Sequence, residues 1–241
     1  MEPAKLIAAV ESGARIVSRS SRDDLHAAVA NCDGWVVEDL VRHLGRVYRS
    51  VATIVSTRSQ VVVPPQDTPA GPHGDDAVAW FDESVDLVLD ALRGVEPSET
   101  LWTWAGVLPA TFYFRRMAYE TAVHAHDASA GWAEPFQLDS DLAADGVDEY
   151  LERVLPFTLQ RWTRPLPAGS LHLHRTDGDG EWLVEVEEGA MKLRREHAKG
   201  DAALRGSGQA LFLAMWNRMD VDELECFGDP DVARAWTTLA P

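Results

Sequence analysis

Residues 35–55, WVVEDLVRHLGRVYRSVATIV, decide the fold class of the first part of this chain. Val36, Leu40, Leu44, Val47, Val51, Ile54 and Val55 recur at helical spacing and form one broad apolar stripe, while Asn31, Asp33 and Gly34 supply a turn and cap before it. The spacing predicts a long amphipathic helix. It should stop before VVVPPQDTPAGPHGDD, whose four prolines and two glycines disfavour regular structure and predict a long loop over 61–75, a place where function often resides.

Working outward, a second helix is expected over 76–92, capped by Asp75 and Asp76 and ended at Gly94. A third is expected to start near Pro109, a favoured first-turn residue, and to carry ATFYFRRMAYETAVHAHDASA to Gly131. With an amino-terminal helix and another over 138–159, this makes a bundle of four to five helices. After RWTRPLPAGS the pattern changes to alternation, so a boundary is placed near 165–169, dividing the chain into domains 1–164 and 165–241. LHLHRT and EWLVEVEE alternate around TDGDG as a hairpin, MKLRREHA and the segment up to Leu204 read as further strands, and Gly206 to Gly208 lead into the apolar helix QALFLAMWNRM before a last capped helix. The expected fold class is α+β in two domains.

Composition narrows the function. The 241 residues carry 39 Asp+Glu against 22 Lys+Arg, a net charge of −17, which disfavours nucleic acid and anionic membranes as partners. The two cysteines, Cys32 and Cys226, form neither a CxxC pair nor a disulfide framework and point to a reducing compartment. The amino terminus, MEPAKLIAAVESGARIV, carries Glu2, Lys5, Glu11 and Arg15 where a signal peptide has an unbroken apolar run. A cytoplasmic protein without membrane spans is expected.

Glu120-Thr-Ala-Val-His124 is the most informative spacing, because residues four apart project from one side of a helix and a carboxylate and an imidazole there can share a cation. Asp127, three residues on, continues the stripe as a ligand or as a partner of the other imidazole nitrogen. His43 lies at the edge of the apolar stripe on the earlier helix. Together His43, Glu120 and His124 would make the two-histidine, one-carboxylate set of an open catalytic zinc site; the competing reading is a solvated helix face and a hydrogen-bonded core histidine.

Other signals have plainer readings. Arg42, Arg46 and Arg49, with Arg115 and Arg116, could attract an anionic substrate, but a solvated helix face paired with carboxylates explains them. His126 points away from His124. His172 and His174 share a strand face, a permissible metal geometry, yet the sequence names no third ligand nearby, so an ordinary strand face is expected. TDGDGEWLVEVEE reads as a hairpin turn rather than a calcium loop, because Trp182 stands where that loop needs glycine, and Gly206-Ser207-Gly208 reads as a loop and helix cap.

The pattern Trp35-Val-Val-x-Asp39-Leu40-x-x-His43-Leu44-Gly45, followed by Glu120-Thr-Ala-Val-His124-x-x-Asp127, resembles the mycothiol-dependent maleylpyruvate isomerase family within the DinB-like helical metalloenzymes. The tail resembles that family's small sterol-carrier-like C-terminal domain through LHLHRTDGDGEWLV, DAALRGSG and LFLAMWNRM. The resemblance implies a DinB-like four-helix bundle holding a divalent metal, typically zinc, at His43, Glu120 and His124, and an arginine of the second domain near the metal, matched best by Arg218 and next by Arg205. It also implies mycothiol or a related low-molecular-weight thiol as cofactor. The thiolate would add to a cis double bond, the resulting single bond would rotate, and elimination would return the trans isomer; without elimination the enzyme would be a thiol S-transferase. The expected partners are a small electrophile and a small thiol, with the chain a monomer or weak homo-oligomer. Two readings stay open beside these: a non-catalytic metal-containing protein that binds a ligand or partner, and a metal-dependent hydrolase on the same scaffold.

Overall fold

Residues 1–63, 68–162 and 165–240 are described by the computed structural model, and they divide into two units, Met1–Gln137 and Leu138–Pro241. In the first unit the helical spacing becomes four helices: α1 (Pro3–Asp23), α2 (Val37–Ser56), α3 (Asp75–Arg93) and α4 (Thr111–Ser129). Pro3 opens α1, where its missing N–H costs nothing, and acidic Asp75 and Asp76 sit at the positive end of the α3 dipole with Arg93 at the negative end. At the start of α2, Asp39 Oδ2 accepts a hydrogen bond from the Val36 N–H at 3.1 Å, satisfying a donor that the helix leaves unpaired.

The stripe of α2 is the centre of this unit's core, with Leu40, Val41, Leu44, Tyr48 and Val55 fully buried. α2 packs chiefly on α3, and α4 chiefly on α1, while α2 and α4 meet lightly. The α2–α3 contact turns on the absence of a side chain: a Cβ added at Gly45 would lie 2.2 Å from Trp80 Cζ3, and one at Gly71 would lie 2.7 Å from the same atom. Trp80 therefore fills the space both glycines leave.

One expectation is corrected in this unit. Pro109 does not open the third helix; it ends β2 (Gly106–Pro109), which pairs antiparallel with β1 (Thr100–Thr103), and the helix begins at Thr111. Gly106, at φ +110°, takes the turn backbone that allows this short hairpin. Of the loop expected over 61–75, residues 64–67 lie outside the described residues; 61–63 and 68–74 contain no helix or strand.

The second unit begins with α5 (Ser140–Glu149), which continues through a π-helical turn (Tyr150–Val154) into α6 (Leu155–Trp162). Its sheet has the order β5-β4-β3-β6-β7, with β3 (Leu171–Arg175), β4 (Glu181–Glu187), β5 (Ala190–Arg194), β6 (Ala202–Gly206) and β7 (Glu225–Gly228). β3 and β6 are parallel and the other neighbours antiparallel. α7 (Gly208–Met215) and α8 (Pro230–Thr237) complete it, with Ser207 capping α7 through a hydrogen bond from the Ala210 N–H.

The expected boundary at 164/165 differs from the division between Gln137 and Leu138; Arg164 itself lies outside the described residues. The reason is packing. α5 lies against α7, the Leu138 N–H reaches Gln209 Oε1, and Arg175 at the end of β3 donates to Ser140 and Asp141, so the helical segment after 137 belongs to the sheet unit. The α+β class stands: a helical first part is followed by a strand-rich second part. Among the described residues, no helix is long and apolar enough to cross a membrane.

Candidate metal centre

α2 and α4 bring the predicted set together. His43 Nε2 lies 3.0 Å from Glu120 Oε1, and His124 Nε2 lies 3.7 Å from the same oxygen. One donor atom from each of the three residues falls within 4.8 Å of the other two. The helical repeat places Glu120 and His124 on one face of α4, and His43 reaches them from the edge of the α2 stripe. The indole of Trp35 stacks on His124, with centroids 6.3 Å apart and planes 18° apart, and stands 5.3 Å from the His43 ring. This apolar wall limits how far either imidazole can turn.

Asp127 acts on the far nitrogen. Its Oδ2 lies 3.0 Å from His124 Nδ1, on the side of the ring opposite to Glu120, and its carboxylate also accepts from Asn31 Nδ2 at 3.2 Å and from the Cys32 thiol at 3.7 Å. A proton held at Nδ1 leaves Nε2 as the lone-pair nitrogen facing Glu120 and His43. Cys32, His124 and Asp127 also fall within 4.8 Å of one another, but that grouping uses the ring edge turned away from His43 and Glu120.

Electrostatics keep the cluster charged. Burial would raise the carboxyl of Glu120, yet hydrogen bonds with His124 and His43 and the charge of Arg116 outweigh it and hold Glu120 well below the usual carboxylate range. Burial would likewise lower His124, but its bonds to Asp127 and Glu120 push it up to about 9. Arg116, one turn before Glu120 and buried, donates to Glu120 Oε2 at 3.1 Å and so leaves Oε1 to the imidazoles. Glu120 and Arg116 border a cleft of about 500 Å³, whose walls include Trp102, Trp104, Tyr113 and Arg46. The β1–β2 hairpin supplies the first of these aromatics and its turn the second.

Residues 6–129 match the family model described as the mycothiol maleylpyruvate isomerase N-terminal domain, and residues 141–235 match the MDMPI C-terminal domain. The chain belongs to the mycothiol maleylpyruvate isomerase family. Its fold is similar to that in the crystal structure of the mycothiol-dependent maleylpyruvate isomerase, at 14% identity and a TM-score of 0.61 over 94% of this chain and 93% of that one. A histidine-to-alanine mutant of that enzyme matches at 13% identity with the same TM-score and coverage. No curated protein sequence matches.

In this member of the family, the arginine stripe of α2 is divided in its work. Arg42 donates to the Gly71 carbonyl and Arg49 to Ser84 and Glu83 while lying over the Trp80 ring, so both tie α2 to its neighbours; Arg46 borders the cleft. The two arginines expected from the second unit have local partners there: Arg205 on β6 donates to Glu225 Oε2 at 3.1 Å, and Arg218, after α7, donates to the Trp216 carbonyl at 2.9 Å. Sequence reasoning did not place Arg116 on Glu120, although the i, i+4 spacing carried that signal. Nor did it place Trp35 against His124, or Asn31 and Cys32 on Asp127, contacts that span about 90 residues of chain and leave no local signature.

Proposed function

We propose that the protein is a metal- and thiol-dependent enzyme of the maleylpyruvate isomerase kind, acting on a small unsaturated acid with mycothiol or a related thiol. The reading is carried by the convergence of His43, Glu120 and His124 beside a cleft that Glu120 borders. The donor chemistry fits zinc: two imidazole nitrogens and one ionised carboxylate form the open three-ligand set of catalytic sites, a bound ion would take the place of the His124 Nε2 proton, and Asp127 sits on the wrong edge of His124 to close the set. That placement favours a catalytic centre over a purely structural one. When bound, such an ion supplies Lewis acidity that favours thiolate over thiol at neutral pH.

The chain's own residues do the rest. Asp127 holds the His124 tautomer, Arg116 holds the second oxygen of Glu120, and Trp102, Trp104 and Tyr113 give the cleft apolar walls against which a double bond would lie. Arg46 and Arg116 give that cleft a positive edge for substrate carboxylates in an otherwise acidic protein. Arg218, with Arg205 as the other choice, is proposed as a further carboxylate anchor on the family resemblance. Cis–trans isomerisation and thiol S-transfer share every one of these residues and differ in whether the thiol is eliminated. A cytoplasmic setting, where such thiols are kept reduced, suits either outcome.

Metal analysis of the purified chain followed by turnover of a cis-unsaturated diacid with and without mycothiol tests the reading. One zinc equivalent that is present in the parent and lost in His43→Ala and in His124→Ala is expected, together with turnover that needs the thiol. Arg218→Ala should raise KM for the diacid. Full metal retention in both histidine variants would overturn the assignment, and thiol-independent hydrolysis would replace it with the hydrolase reading.

A further inference from the structure

A second convergence of imidazoles lies in the sheet unit, where sequence reading expected an ordinary strand face. His172 and His174 of β3 share one face of the sheet, and the β3–β4 register sets Glu181 directly across from His174, so three donor side chains meet on that face. The chain then returns after β5 and delivers His197 to the same carboxylate. Glu181 Oε2 lies 2.6 Å from His172 Nε2, while Oε1 lies 2.6 Å from His174 Nδ1 and 3.2 Å from His197 Nδ1. One donor atom each from His172, Glu181 and His197 falls within 4.8 Å of the other two. The three rings stand at 61° to 87° to one another with centroids 5.2–6.3 Å apart, so they approach as edges around a point rather than as a stack.

We propose that His172, Glu181 and His197 form a second divalent-cation site for an ion of the zinc class, with His174 as a positioning residue on the Glu181 carboxylate. Imidazole and carboxylate together select borderline ions such as Zn²⁺, Co²⁺ and Ni²⁺ over Ca²⁺ or Mg²⁺, which take all-oxygen sets. Ligand bonds of about 2.0–2.2 Å in a tetrahedral arrangement need donor atoms about 3.3–3.6 Å apart. The two Glu181 separations, 2.6 and 3.2 Å, lie below that range and all three donors lie within 4.8 Å of one another, so a small outward rotation of side chains builds the site with the strands left in place. His172 is buried and fixed by the sheet, whereas the His197 side chain is 76% exposed and lies outside the strands, which gives the ion both a rigid floor and an entry path. A cation there would also find a chain of net charge −17. Its effect would be to staple β3 and β4 to the segment that follows β5.

Zinc titration of the full chain decides the matter. Two equivalents are expected in the wild type and one in His197→Asn, a change at an exposed position that leaves the strands intact and thiol-dependent turnover unaltered. In a His43→Ala/His124→Ala background one equivalent should remain, and adding Glu181→Gln should weaken it at least tenfold. Cobalt in that background should give the d–d absorption of a nitrogen–oxygen site, lost with His197→Asn. A wild type that binds a single equivalent, all of it lost with His43 and His124, would overturn this proposal while leaving the first centre standing. So would a second equivalent held with unchanged affinity in both His197→Asn and Glu181→Gln.

Discussion

Replacing Asp127 by asparagine isolates what the carboxylate behind His124 contributes. The side chain is fully enclosed and its Oδ2 receives the His124 Nδ1 proton at 3.0 Å. Asparagine keeps the shape and an oxygen acceptor but removes the charge, and its amide N–H₂ then faces the donor Asn31 Nδ2, which accepts nothing. A hydrogen bond to a charged group contributes about 1.5–3 kcal/mol. Loss of a carboxylate behind a metal-bound imidazole typically costs about 10- to 100-fold in affinity, which is about 1.4–2.7 kcal/mol. The two routes agree, so Asp127→Asn should raise the zinc Kd about 10- to 100-fold. Competition against a chromophoric chelator at pH 7.5, run in His197→Asn protein so that one centre is read, measures it directly. A Kd within twofold of the parent, with binding abolished in His124→Ala, would refute the orienting role. Loss as complete as that in His124→Ala would refute it differently, by making Asp127 a ligand.

Other perturbations follow from the same geometry. In chelator, His124 is held at about 9 against an ordinary 6.5, so its contribution to stability is fully present below pH 6.5 and is lost as pH rises through 9; the ceiling is about 3 kcal/mol at ~1.4 kcal/mol per unit. Urea midpoints should fall between pH 6.5 and 9.5 in the wild type and much less in His124→Gln, and a midpoint that rises over that window contradicts the pairing. Gly45→Ala gains about 1 kcal/mol of helix propensity but drives a methyl into Trp80, an overpacking that costs about 1–3 kcal/mol; a net fall in thermal stability is expected, and a gain would show that Trp80 moves freely. Arg175→Met removes a buried guanidinium from Ser140 and from the solvent-exposed carboxylates of Asp141 and Asp177 and should destabilise the protein by about 1–2 kcal/mol, read as a lowered urea midpoint; an unchanged midpoint would mean that solvent already satisfies those partners.

What the sequence made legible follows the range of the interactions. Glu120, His124 and Asp127 declare themselves because helix periodicity is local, and the apolar stripe around His43 does the same for α2. Their meeting across 77 residues was suggested by two neighbouring helix faces, with a solvated face as the competing reading, and was strengthened by family resemblance. The β1–β2 hairpin was missed because TLWTWAGVLP is too short to show alternation and Pro109 also suits a helix start. The division between Gln137 and Leu138 was not legible because the apolar face of α5 reads the same whether it packs on a bundle or on α7. Glu181 was within reach: counting back from the TDGDG turn sets it opposite His174. His197 was not, since nothing local to it predicts a return to β3.

The ligands proposed for the first centre come one from α2 and two from α4, helices that lean mainly on different partners, α3 and α1. The bundle is in effect two helix pairs, and an ion at His43, Glu120 and His124 would cross-link them along their lightest seam. The cleft beside Glu120 is lined by both helices, so a ligand that fills it would bear on that seam as well. Thermodynamic linkage then makes the exchange reciprocal: a cleft ligand that sets the spacing of the two pairs changes the affinity for the ion, and the ion changes the affinity for that ligand by the same factor. Zinc occupancy would thus act as a setting of the gap between two half-bundles, adjustable by the size of the acid that fills it.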